Sequence, residues 1–307
     1  MPYVFQLFAA MLEVEPTKPL PLPIQSLIGP IIAPPVWEQR GNVPALVRLL
    51  TSIIPRAAED LVKSNQLEGV LGIFQKLVST KVYEGYGFDL LECVIESYPP
   101  STLEPYWVHF ITIMLTRLQS QQSTGFHLRF VRFYHFIASR DDKGMGTDFF
   151  VAATDRVQQD VFRGLYLSIV LPKTQQLARP LDRKTAAISF TKTLADSEAF
   201  VTRYPKGWPH TCNALLKLLE APPLPLKGED MIADHDVDDN SFGVGFTQLQ
   251  TIRRPVNDPW ADVTDLRQWV GQYLQAADRR HSGRIGRFVN EGLSEDAKGV
   301  LSTYMHL

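Results

Sequence analysis

An all-α fold of successive antiparallel helix pairs is what this sequence predicts, and three observations predict it. Apolar residues recur at the i, i+3, i+4 spacing of a buried helix face in one segment after another, while strand-like alternation is nearly absent. Prolines and glycines fall between those segments, where short helix-to-helix turns would need them. The chain has 307 residues, the upper limit of one compact core, so two domains or an elongated repeat array is expected.

From Val4 to Leu12 only Gln6 is polar. A helix that is apolar nearly all round is normally buried on more than one side, whereas a terminal repeat needs a face that meets water. The expectation is that upstream repeats precede it; a first helix shielded by a dimer partner is the alternative. Pro16, Pro19, Pro21 and Pro23 separate it from a second helix, which Pro34 and Pro35 break. The stretch "WEQRGNVPALVRLL", residues 37–50, then stops one helix and starts the next. Gly41 suits the left-handed closing position, Asn42 is placed to cap, and Pro44 falls in a first turn whose N–H groups lack partners anyway. Trp37, Leu46 and Leu49 are the expected core of this stretch, with Arg40 and Arg48 on its surface.

Leu67, Val70, Leu71, Phe74, Leu77 and Val78 lie on one helical face, with Gln66, Glu68, Gln75 and Lys76 outside it. Leu103, Tyr106, Trp107, Phe110, Ile111, Met114 and Leu118 mark another helix, and Phe126, Phe130, Phe133, Tyr134 and Ile137 the one after. Further helices are predicted in "FRGLYLSIVL", "KTAAISFTKTLA", "CNALLKLLE" and "DLRQWVGQYLQAA". Prolines are expected to interrupt the pattern, at Pro99–Pro100 and at Pro222, Pro223 and Pro225, and not to sit inside helices. Helices of about three to five turns, two per ~40–45 residues, fit a HEAT-repeat α-solenoid, a right-handed superhelix of antiparallel pairs. The repeats agree in pattern and share no motif, so periodicity alone leaves an ordinary helical bundle open. The domain reading is a single solenoid over 1–307.

Hydrophobic residues make up 45% of the chain and charged residues 21%, with net charge −2. That balance argues against nucleic acid as the main partner, which usually shows as a basic excess. No apolar run approaches the ~20 residues that span a bilayer. The amino-terminal stretch lacks a basic n-region and runs into Glu13 and Glu15, unlike a secretory signal. Cys93 and Cys212 both fall among aliphatic residues in helical patterns, as buried reduced thiols do.

One segment differs. "GEDMIADHDVDDNSFGVGF", residues 228–246, follows "APPLPLKG" and carries Glu229, Asp230, Asp234, Asp236, Asp238 and Asp239 with no helical face. It reads as a solvated acidic loop between helices, over about 226–243. A calcium loop counted from Asp234 would need Gly at position 6 and Glu at position 12, where Asp239 and Gly245 stand, so no metal is assigned. The acidic residues, with Arg40 and Arg48, are the candidate protein-binding set. "HLRFVRFYHF", residues 127–136, interleaves arginines with aromatics. On a helix its aromatics join the core stripe, and Arg129, Arg132 and His135 share a neighbouring exposed one. Arg279, Arg280, Arg284 and Arg287 cluster near a helix C-terminus, where the dipole favours cations; a partner contact is the other use for them. No phosphate-binding loop, nucleophile elbow or paired-histidine zinc motif occurs, so neither an enzyme nor a cofactor is predicted.

"WEQRGNVPALVRLL", with "GVLGIFQKLVSTK", "GFDLLECVIESYPP" and "SFGVGFTQLQ", resembles the carboxy-terminal part of the CAS-type importin-α export receptors, the exportin-2 family within the importin-β (karyopherin) superfamily. The similarity runs from about residue 3 to the end, strongest over 37–100 and loosest over 140–210. The resemblance implies the last several HEAT repeats of a nuclear export receptor that grips importin-α together with Ran-GTP, shuttles between nucleus and cytoplasm, and passes nuclear pore proteins. It implies that the principal Ran contacts lie in other, amino-terminal repeats. A HEAT scaffold or regulatory subunit for a different protein is the alternative reading.

Overall fold

The computed structural model describes residues 2–120, 123–222, 224 and 258–305. It is helical throughout, with no strand among the described residues. These residues fall into two compact units, 2–104 and 105–305.

In the first unit α1 (Pro2–Val14) packs on α3 (Val43–Lys63), which also packs on α5 (Glu84–Ser97). Two further helices, α2 (Leu22–Ile32) and α4 (Leu67–Val78), lie against each other, and α4 against α5; the single turn α6 (Pro100–Leu103) follows. The α3 helix buries its apolar stripe almost completely, Leu46, Leu49, Ile53 and Ile54 having no exposure. The α1 helix turns Ala9, Ala10 and Leu12 inward, while Leu7, Met11 and Val14 remain 53%, 63% and 71% exposed. Within the described residues, then, α1 is covered on one side only.

Three expectations for this unit need correction. Gly41 is not left-handed: it sits in a 3-10 turn, Arg40–Asn42, that leads directly into α3. Asn42 precedes the helix without capping it through its side chain. Its amide Nδ2 instead donates back to the Val36 carbonyl at 3.1 Å, while Trp37 Nε1 donates to the Ile31 carbonyl at 2.8 Å. The turn is thus closed by buried side chains binding upstream carbonyls, with Pro44 in the first turn as expected. The prolines also do more than interrupt, since Pro30 lies inside α2 and Pro55 inside α3. Pro55 has no N–H for the Thr51 carbonyl four residues earlier. That carbonyl accepts from the Cys93 thiol of α5 at 3.5 Å, so the defect becomes a contact between helices.

The second unit is organised by α12 (Pro180–Asp196). It is preceded by α7 (Trp107–Ser120), α8 (Thr124–Ser139), α9 (Thr147–Val157), α10 (Val161–Leu165), a π-helical turn over Tyr166–Val170, and α11 (Leu171–Thr174). It is followed by α13 (Glu198–Thr202), α14 (Gly207–Glu220), α15 (Leu266–Arg280), α16 (Arg284–Gly292) and α17 (Glu295–Met305). The α12 helix packs against α8, α14 and α15. Around it the rings of Tyr134, Phe150, Tyr166 and Phe200 meet edge to face at 5.1–5.8 Å between centroids, a geometry that adds about 0.5–1.5 kcal/mol per pair beyond area burial. At the far end α15 and α17 cross so closely that a Cβ on Gly271 would lie 1.9 Å from the Tyr304 carbonyl oxygen, so only glycine fits.

The α12 surface is unusual in burying hydroxyls: Ser189, Thr191 and Thr193 are at most 1% exposed. Their hydrogen bonds can be directed. Thr174 Oγ1 donates to the Val170 carbonyl, so it accepts from His135 Nε2 at 2.7 Å. His135 Nδ1 is then the acceptor from Ser189 Oγ at 3.0 Å. In the same way Thr193 donates to the Ser189 carbonyl and accepts from Thr147, while Tyr166 donates to Thr211. His135 therefore lies in the core, 1% exposed, and not on the exposed stripe expected beside Arg129 and Arg132. Its two hydrogen bonds explain why a histidine sits where the helical period alone would place it nearer solvent.

Burial pulls the His135 pKa down from the ordinary histidine value of 6.5 to about 3. Between those two pH values the unfolded chain binds a proton that the native state refuses, so stability is full above about 6.5 and falls as pH drops toward about 3. The slope reaches about 1.4 kcal/mol per pH unit for one such group. Replacing His135 by Gln is expected to flatten the loss of stability between pH 7 and pH 5, measured as denaturant midpoints. Equal losses in both proteins would show that His135 is not buried neutral.

Candidate partner-binding surface

The sequence-predicted set divides three ways. Glu229, Asp230, Asp234, Asp236, Asp238 and Asp239 lie outside the described residues, as does "SFGVGFTQLQ". Arg40 is exposed, at the start of the turn into α3. Arg48 is largely covered, with its side chain 14% exposed. Its Nε and Nη2 reach the two oxygens of Glu13 at 3.1 and 2.6 Å, and Ser52 Oγ adds a bond to the same carboxylate at 3.3 Å. Nearby, Arg56 donates to the Leu12 carbonyl at the end of α1. These bonds satisfy the α1 C-terminus and fix it to α3, a two-pronged arrangement stronger than a simple ion pair. Arg40 and Arg48 are therefore differently employed: the first faces solvent, the second holds a helix.

In the second unit most cations are also turned to internal use. Arg183 Nη2 donates to the Leu218 carbonyl of α14 at 2.9 Å. Lys184 Nζ reaches Asp258 Oδ2 at 2.8 Å and the Trp260 carbonyl at 2.6 Å. Two turns further along α12, Lys192 donates to the Ser139 carbonyl at 2.8 Å and sits 4.4 Å from the centre of the Trp260 ring. Residues 258–260 are thus anchored on α12 at two points. Burial opposes the Asp258 charge, but its bonds with Lys184 and the Trp260 N–H still hold its carboxyl below the usual range. On α15 the rings of Trp269 and Tyr273 lie 4.9 Å apart, tilted by 31°, and both are half-buried. Tyr273 donates to Asp196 at 2.7 Å, and burial together with that carboxylate raises its pKa.

Of the basic cluster at the end of α15, Arg280 pairs with Asp196 at 2.9 Å, and Arg284 with Glu198 at 3.0 Å and the Ala195 carbonyl at 2.8 Å. Arg279 and Arg287 are exposed. Sequence reasoning did not find the partners Asp196, Glu198 and Asp258. Each is distant in sequence from the cation it meets, and only the spacing of Lys184 and Lys192 along one helix face offered a signal. Cys212 is fully buried, which pushes its thiol up to about 12 and leaves it a poor nucleophile. Among the described residues no group of three or more His, Cys, Asp and Glu is placed to hold a metal, and no helix is long and apolar enough to cross a membrane.

Paired helices stacked on one another, with aromatic and charged side chains on their faces, define a helical-repeat protein of the HEAT kind. The chain belongs to the CAS/CSE C-terminal family: the sequence model described as "CAS/CSE protein, C-terminus" matches residues 1–304. It is 35% identical over 310 residues to the importin-alpha re-exporter of Schizosaccharomyces pombe, covering 99% of this chain and 32% of that protein. It is 27% identical over 314 residues to human exportin-2, covering 99% of this chain and 31% of that protein. The structure of the exportin Cse1 in its cargo-free, cytoplasmic state aligns with a TM-score of 0.81 at 26% identity, over 99% of this chain and 31% of that one. The chain thus spans about a third of the length of its relatives.

The Glu13–Arg48 contact generates a prediction that separates architecture from partner binding. Glu13→Gln is expected to destabilise the first unit by about 1.5–3 kcal/mol, the range for hydrogen bonds to charged groups. Arg48→Met in the same chain should recover much of that loss, because it removes the cation left unpaired. Thermal unfolding of the two single variants and the double variant measures both. Strictly additive losses would mean that the two side chains do not interact.

Proposed function

We propose that the chain is the C-terminal portion of a nuclear export receptor that binds importin-α together with Ran-GTP and returns importin-α from nucleus to cytoplasm. The observation that carries this reading is the family match over nearly the whole chain, joined to the agreement of its helix stack with the Cse1 exportin. In this reading the chain is one part of a solenoid that acts by binding, shuttles through nuclear pores in contact with pore proteins, and needs no catalytic group or cofactor. Neither nucleic acid nor a membrane is a partner.

The physics of stacked helices suits the role. Each pair touches only its neighbours, so small rotations accumulate into changes of curvature. Importin-α and Ran-GTP bind cooperatively if both favour the same curvature, a coupling of typically 1–3 kcal/mol or about 5–150-fold in affinity. Within the reading, Glu229, Asp230, Asp234, Asp236, Asp238 and Asp239 offer negative charge to a basic partner surface, and exposed Arg40 is a second contact. Arg48 contributes indirectly, by holding α1.

Titration with importin-α, with and without GTP-loaded Ran, tests the proposal. The protein to use is a chimera joining this chain to the N-terminal two thirds of the fission yeast relative. Binding strengthened about 5–150-fold by Ran-GTP and weakened by salt is expected. Reversal of charge at Asp234, Asp236, Asp238 and Asp239 should weaken it and reduce the salt dependence. Absence of binding, or binding indifferent to Ran-GTP, would contradict the proposal, and the second result would favour a passive scaffold.

A further inference from the structure

The turn between α15 and α16 reads Arg279-Arg280-His281-Ser282-Gly283-Arg284, and the proposed receptor role leaves it without a use. Ser282 is exposed at the tip of that turn, with a left-handed φ of 53°, and Gly283 follows at 79°. Its hydroxyl has no hydrogen-bond partner among the described residues. Two arginines stand three and two residues before it. Arg279 is exposed and makes no ion pair among the described residues, while Arg280 is 52% exposed although paired with Asp196. An exposed serine preceded at that spacing by two guanidinium groups is what a kinase with a carboxylate-lined peptide groove selects, since each guanidinium can be read by a paired, charge-assisted contact.

We propose that Ser282 is a phosphorylation site for a serine/threonine kinase of that basophilic kind, and that the phosphate resets the ion pairs holding the α15–α16 turn to α12 and α13. In the transfer, Ser282 Oγ bonds to the γ-phosphorus of magnesium ATP and the bond from that phosphorus to the β–γ bridging oxygen breaks. ADP leaves with the electron pair, and the hydroxyl proton passes to the catalytic carboxylate of the kinase. An extended substrate is needed, so the last turn of α15 must open. Its closing bonds, from His281 N–H to the Ala277 carbonyl and from Gly283 N–H to the Asp278 carbonyl, lie at a helix end, where local opening is easiest.

The product carries close to two negative charges just ahead of the first turn of α16, where the helix dipole favours an anion. Arg279 and Arg287 stand on either side in sequence, and neither has a competing ion pair among the described residues. Arg280 and Arg284 can be drawn toward the phosphate only by leaving Asp196 and Glu198. His281, 3.7 Å from Asp196, is exposed to the same exchange. Asp278, which accepts from the Gly286 N–H at 2.8 Å, is the carboxylate the phosphate would repel. Phosphorylation would therefore loosen the α15–α16 turn from α12 and α13.

The test is incubation of the whole chain with the catalytic subunit of cyclic-AMP-dependent protein kinase and magnesium ATP, followed by mass spectrometry and hydrogen exchange. One phosphate per chain, on Ser282, is expected. Ser282→Gly, which suits a φ of 53°, should take up none there. Arg279→Ala with Arg280→Ala should slow incorporation at least about tenfold, the least expected for losing two charge-assisted contacts. Exchange over residues 278–292 should quicken on phosphorylation. No phosphate on Ser282, or a rate indifferent to the two arginines, overturns the site; phosphate on Ser282 with unchanged exchange overturns the loosening.

Discussion

Ser189 must satisfy two chains of hydrogen bonds at once, and the packing of the second unit depends on its doing so. Its hydroxyl donates to His135 and its carbonyl accepts from Thr193. Through these it joins α12 to α8 directly, to α11 through His135 and Thr174, and to α9 through Thr193 and Thr147. A buried polar atom left unpaired costs about 1–3 kcal/mol. The hydroxyl-bearing face of α12 therefore tolerates little sliding or rotation: a shift that breaks one bond exposes several groups to that cost together. Apolar helices can slip along one another with modest change in burial, but this seam has one register. The ring contacts among Tyr134, Phe150, Tyr166 and Phe200 pack around that register.

The first unit solves a similar problem with fewer polar atoms. The missing N–H of Pro55 leaves the Thr51 carbonyl for the Cys93 thiol, and Arg48 and Arg56 take the charge and the carbonyl at the end of α1. In both units a polar group that a helix cannot satisfy internally becomes the point at which a neighbouring helix is fixed. That device suits a protein that works by presenting a surface, since the exposed side chains inherit the precision of the buried ones. It also accounts for the fate of the cations. Arg48, Arg183, Lys184, Lys192 and Arg284 hold helices and loops in place, leaving Arg40, Arg279 and Arg287 free to face solvent.

Much of this was legible in the sequence, for definite reasons. Helical period and the intervals between prolines are local properties, so the helices at 67–78, 107–120, 124–139 and 266–280 could be read directly, as could the core role of Trp37, Leu46 and Leu49. The turn at Gly41–Asn42 was legible as a turn and misread in detail, because whether Asn42 caps forward or binds back to Val36 depends on where Trp37 is buried. His135 was misplaced because periodicity assigns a polar residue to solvent and has no knowledge of Thr174 and Ser189 in other helices. Arg48 had the same fate: its partner lies 35 residues away, in a helix whose packing no spacing rule reveals. The candidate acidic residues belong to a segment recognised by composition, and composition carries no geometry. The family resemblance, by contrast, needed only the residues themselves, and the match of the CAS/CSE C-terminal family over residues 1–304 agrees with it.

The α12 helix, held by its buried hydroxyl seam, fixes the second unit and so the faces it presents. Hydrogen exchange under native conditions measures this most directly. Amides of residues 186–195 are expected to exchange only through opening of the whole second unit, with the same denaturant dependence as global unfolding. Amides of α16 and α17 should exchange faster, through local opening. If residues 186–195 exchanged as readily as those of α16, the seam would not be what holds the unit together.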